Sequence, residues 1–149
     1  METKTQKKYT DETLGFPVVI LEAPMIRVRG KWALNINYNK YQETVLTLLA
    51  YKPVKLNGNE IQFIRKYFEM TTREFGARFS VKHPAVIKWE KKQESLTDMA
   101  WTTEKDIRLF IVDQLVKKAS ELQKLYRLLG EEAEAKKKPI SLDSELIAA

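Results

Sequence analysis

The chain has no cysteine, and histidine occurs once, at His83. Disulfides and thiolate-held zinc are therefore excluded, and a histidine-rich metal site lacks ligands. No apolar run reaches the roughly 20 residues that a membrane helix needs, and the N-terminus has no signal-peptide core. A glycine-rich phosphate loop, an HExxH motif and a Cys/His nucleophile pair are all missing. Glu43, Glu60 and Glu74 are scattered over helix surfaces and caps, and one histidine leaves little for acid–base chemistry. The expectation is a cytoplasmic, non-enzymatic protein with no cofactor, no metal and no membrane partner.

What the chain does have is basic charge, unevenly placed. The net charge is +6 over 149 residues. Residues 1–56 carry +4, residues 57–92 another +4 in a much shorter stretch, and residues 93–149 carry −2. Basic excess of this kind attracts polyanions without sequence preference. The apolar fraction of 44% is enough to build a core.

Five segments follow from the pattern. Residues 1–15 are polar and charged, with a KTQKK run, and read as a flexible arm. Residues 16–55 read as a β-hairpin followed by a helix. Val18 to Leu21 form an apolar run rich in β-branched residues, stopped at Pro24, Met25 to Arg29 alternate, Gly30-Lys31 turn, and Trp32 to Tyr38 alternate again. Tyr41 to Tyr51 is helical, with Val45, Leu48 and Leu49 on one side, and Pro53 ends it. Two strands alone are marginally stable, so this hairpin needs a partner. Trp32 and Trp101 are assigned to packing. Residues 93–130 read as a helical extension. Thr103 is its N-cap, Ile107, Ile111, Leu115, Leu122, Tyr126 and Leu129 form its apolar stripe, and the chain either continues or breaks near Lys117-Lys118. Residues 131–149 read as a flexible tail. The fold expected is mainly α with a small N-terminal β-hairpin, built on a five-helix-type helix-turn-helix domain with a C-terminal helical extension.

The segment at 56–92 is the most specific. Asn57 to Lys92 runs NGNEIQFIRKYFEMTTREFGARFSVKHPAVIKWEKK. Its first helix follows Asn57-Gly58 and places Ile61, Ile64 and Phe68 on one face. The second has Thr71 as N-cap and Glu74 at N3, a capping box, with Phe75 and Phe79 inward. The chain turns at Ser80-Val81. The third runs from His83 to Glu90, with Pro84 in its first turn, where a missing N–H costs nothing. Val86 and Trp89 face inward, leaving His83, Pro84, Ile87 and Lys88 outward. A helix so held can enter a DNA major groove. Lys donates to guanine O6 or N7, and an apolar side chain meets a thymine methyl. Thr72 adds a polar base contact. Arg73, Arg78, Lys82, Lys91 and Lys92 are placed for phosphates.

These residues, in LNGNEIQFIRKYF, MTTREFGARFSV and AVIKWE, resemble the phage-repressor-like (Xre-type) helix-turn-helix family over about 36 residues. The resemblance implies base contacts at His83, Pro84, Lys88 and Thr72. It also implies a homodimer on a palindromic operator in double-stranded DNA, and a transcriptional regulator of repressor type. It further implies a largely buried structural ion pair between Arg65 and Glu90. The chain departs from the family at Thr72, where glutamine is common, at Gly76 and Ser80, where alanine and glycine are usual, and at Lys82, where Ser or Thr would cap. Strands ahead of such a helix-turn-helix also resemble some antitoxins. In those, the N-terminal part neutralises a toxin protein and the remainder autoregulates the operon. The zinc-bearing version is excluded by the absence of cysteine.

Overall fold

The computed structural model describes residues 2–115 and 119–149. It is 45% helical and 24% strand, with a four-stranded mixed sheet. The expected mainly α fold with a small hairpin is therefore corrected to α/β. The correction comes from the two ends of the chain, both expected to be flexible, which supply strands.

The chain divides into two compact units, residues 1–45 with 139–149, and residues 46–138. In the first, strands β1 (Thr3–Asp11), β2 (Val18–Val28), β3 (Lys31–Leu34) and β4 (Ile140–Asp143) form one sheet. β1 lies antiparallel along β2, from Thr3 opposite Ile26 to Asp11 opposite Val18. The other edge of β2 is shared. Residues 25–28 pair antiparallel with β3, and residues 18–21 pair parallel with β4. Pro24 therefore does not stop the strand. It lies in the gap between β4 and β3, where its missing N–H breaks no ladder, and its carbonyl accepts from Asn35 N at 2.8 Å. The buried positions of β2 run Val18, Ile20, then Ala23 and Met25. The alternation slips at Glu22, which takes a left-handed φ of 51°. The hairpin turn is Arg29-Gly30, one residue earlier than expected, with φ of 50° and 78°. Both central residues must be left-handed in a type I′ turn, the form that matches strand twist. Trp32, assigned to packing, is 36% exposed and lies under Lys4 Nζ at 4.5 Å from its ring centre.

Helix α1 (Tyr38–Ala50) begins at Asn37, whose Oδ1 accepts from Lys40 N at 3.1 Å. Its Tyr41 hydroxyl donates to buried Asp11 at 2.6 Å, and Thr13 Oγ1 donates to the same carboxylate oxygen at 2.8 Å. Burial and that carboxylate push the Tyr41 phenol far above its ordinary range. After β4, a 3-10 turn (Ser144–Ile147) returns Ile147 O to Asn37 N.

The second unit holds α2 (Gly58–Tyr67), α3 (Thr72–Arg78), α4 (His83–Lys91), α5 (Trp101–Leu115) and α6 (Ala119–Leu128). The stretch near Lys117-Lys118, where the chain is expected either to continue or to break, lies outside the described residues, as does the side chain of Leu122. α5 starts two residues before the expected cap Thr103, with Thr103 N and Glu104 N both donating to Ala100 O. The helical extension packs within this unit, and α5 helps form its core. Phe110 packs edge-on against Phe68 and Phe79, at 5.0 and 5.5 Å between ring centres, and Phe79 against Phe75 at 4.7 Å. Among the described residues, no helix is long and apolar enough to cross a membrane.

Candidate nucleic-acid interface

The interface is built from the caps outward. Asn57 Oδ1 accepts from Glu60 N, and the Glu60 carboxylate accepts from Asn57 N, both at 2.9 Å, which closes the first turn of α2. Thr71 and Glu74 do the same for α3, at 3.1 and 3.0 Å. The backbone N–H of Thr71 holds the Glu74 carboxyl below its usual range. α4 starts without a side-chain cap at Lys82, and Pro84 sits in its first turn.

Close backbone approach then fixes α3 against α4. Val81 N donates to Gly76 O at 2.8 Å. A Cβ on Gly76 would stand 2.6 Å from Val81 O. The alanine usual in the resembled family does not fit this turn. Ser80 takes the left-handed φ of 59° that glycine would adopt without steric cost. At the other end, a Cβ on Gly58 would collide with Trp89 O and Gln93 N.

Arg65 joins the helices. Its Nε and Nη2 donate to the two Glu90 oxygens at 2.7 and 2.9 Å, and Nη1 donates to Met70 O at 2.9 Å. The side chains are 13% and 9% exposed. The Glu90 bond, working against burial, raises the Arg65 pKa further. One guanidinium thus fixes the C-terminal half of α2 to the lead-in of α3 and to the end of α4.

With Val86 and Trp89 buried, Pro84, Ile87, Lys88 and Lys91 share the solvent side of α4 at i, i+3, i+4, i+7 spacing. Ile87 is 37% exposed. His83, the first residue of α4, is half-buried, as is Thr72 at the start of α3. Arg73, Lys82, Lys88 and Lys91 are exposed and make no ion pair among the described residues. The remaining two expected phosphate ligands are engaged within the chain. Arg78 pairs with Asp106 at 3.3 Å and lies over the rings of Phe79 and Phe110. Lys92 pairs with Asp98 at 3.4 Å. The free cations on this surface are therefore Arg73, Lys82, Lys88 and Lys91.

Sequence reasoning missed the buried charges that set the entry to α2. Lys52 donates to both Glu60 oxygens at 2.9 and 2.7 Å. Arg108, fully buried, bonds Glu104 at 2.7 Å and donates to the carbonyls of Lys52 and Val54. Leu56 N donates to Glu104. Burial pushes the Glu104 carboxyl up, against the pull of Arg108. One signal was available: Glu104, Ile107, Arg108 and Ile111 share a face of α5. Comparison with family models, curated proteins and solved structures gives no match.

Proposed function

We propose that the chain is a sequence-specific DNA-binding regulator of repressor type, whose α4 enters the major groove. The observation that carries this reading is the α4 surface. Two lysines, Lys88 and Lys91, unpaired among the described residues, share it with an exposed Ile87, and buried side chains with a bidentate Arg65–Glu90 pair hold the helix from behind. Lys88 donates to base edges, and Arg73, Lys82 and Lys91 contact phosphates. Dimerisation on a palindrome would set the spacing of half-sites. Selection of duplexes from a random pool, followed by gel shifts with competitor, tests this. Lys88→Ala is expected to weaken binding to selected sites far more than to random DNA. Lys91→Ala is expected to lower both and to reduce the salt slope by about 0.9. Equal loss on both duplexes in Lys88→Ala would remove its base-reading role.

A second reading, an antitoxin that neutralises a toxin protein through its N-terminal part, is favoured by the separate compact sheet unit. Co-expression with the product of a neighbouring short gene tests it. Failure of the two to co-purify counts against it.

A further inference from the structure

The β2–β3 hairpin ends in the sequence Arg27-Val28-Arg29-Gly30-Lys31-Trp32. A type I′ turn takes Asn, Asp or Gly at its first central position, because the left-handed backbone crowds any larger side chain. Here that position is Arg29, at φ of 50°. The turn accepts this strain although the Arg29 side chain has no hydrogen bond or ion pair among the described residues. Lys31 is likewise exposed and unpaired among them. Strain at an exposed position with no structural return is a reason to look for function.

The surroundings extend the charge. Lys4 pairs with Met25, and Arg27 pairs with Trp32. Residues two apart on a strand point the same way, so Lys4, Arg27 and Trp32 share one face. Lys4 Nζ lies 4.5 Å from the Trp32 ring centre. Arg27 meets Glu2 at 3.3 Å, the one carboxylate paired to this cluster among the described residues. Trp32 and Val28 are 36% and 43% exposed. The tip thus carries Lys4 and Arg27 on the face of the exposed indole, Arg29 in the two-residue turn and Lys31 on the opposite face.

We propose that this hairpin tip is a second nucleic-acid contact, which grips the phosphate backbone of duplex DNA without reading sequence. The choice of polyanion rests on the proposed DNA-binding function. The chemistry is that of guanidinium and ammonium donors on phosphate oxygens, with the planar fork of Arg29 suited to two of them. A phosphate near Lys4 would draw its ammonium from the indole, so Trp32 emission reports engagement.

The test uses the full chain with a random 30-base-pair duplex and a selected duplex, with affinity measured at several salt concentrations. In R29A/K31A the slope of log affinity against log salt is expected to fall by about 1.8 on both duplexes, while sequence preference is kept. R29G relieves the turn yet removes the guanidinium. It is expected to fold at least as well as wild type and to lose about 0.9 of slope, which separates binding from folding. W32F is expected to lose part of the emission change seen on adding DNA. An unchanged slope in R29A/K31A overturns the proposal, as does a full emission change in W32F. Loss of binding to phosphatidylglycerol vesicles with an unchanged DNA slope assigns the tip to anionic lipid and also overturns it. If no duplex is preferred over random DNA, the regulator reading falls, while the slope on random DNA still decides the hairpin.

Discussion

Gly76→Ala sets two effects of opposite sign against each other. Inside α3, alanine is favoured over glycine by about 1 kcal/mol, because glycine loses more backbone freedom on folding. Against this, the new methyl would stand 2.6 Å from Val81 O and 3.4 Å from His83 N, where ordinary contact begins at 3.4 Å. Both neighbours are backbone, so no side chain can swing aside. The turn must open, which strains the 2.8 Å bond from Val81 N to Gly76 O and displaces the start of α4. Overpacking of this kind costs about 1–3 kcal/mol, and a weakened hydrogen bond adds about 1. The net expectation is destabilisation by about 1–3 kcal/mol, with loss of the proposed DNA binding beyond what unfolding explains. Urea denaturation followed by tryptophan fluorescence measures the first, and gel shifts on folded protein measure the second. A variant as stable as the wild type, or more so, would refute the reasoning, since helix propensity alone would then have decided the sign.

Three further outcomes are expected. Ser80→Gly should stabilise by about 0.5–1 kcal/mol, because the left-handed φ of 59° then carries no steric cost; a lower urea midpoint would count against it. Glu90→Gln should cost about 2–3 kcal/mol, below the roughly 3–5 of a fully buried pair because both side chains keep some exposure, and Arg65→Lys should cost nearly as much by losing the fork. A loss under about 0.5 kcal/mol for both would show the pair is idle. Tyr41→Phe should cost about 1–2 kcal/mol at neutral pH by leaving buried Asp11 one donor short. Because the folded phenol is held above its ordinary value, its contribution is full below about pH 10 and declines as pH rises past it. The stability gap between wild type and Tyr41→Phe, measured by urea titration at stepped pH, should therefore narrow in alkali.

The three helices α2, α3 and α4 were legible because their signals are local. A cap, a glutamate three residues on and a three-to-four apolar spacing all lie within one turn of one another, as at Thr71 and Glu74. The sheet was not, because β1 is a mostly exposed polar strand whose KTQKK run has no apolar alternation. Its strand conformation comes from pairing with β2. β4 is four residues long and pairs in parallel with residues more than a hundred positions away. The buried ions escaped for a related reason. Lys52 and Glu60 look like surface charges until both lose water together. Arg29 was read only as part of an alternating strand, since a left-handed arginine has no sequence signature.

The parallel pairing of β4 with β2 makes the helical unit, residues 46–138, an insertion within the sheet unit. During synthesis, residues 18–21 emerge early, while their partners at 140–143 arrive only after the whole inserted unit has left the ribosome. Helices α2 to α4 can therefore fold first, on local contacts, while one edge of β2 waits uncovered. An unpaired strand edge is a template for pairing with other chains. Slow translation of residues 140–143 should thus favour aggregation of otherwise normal chains, so the order of synthesis bears on which partner that edge meets.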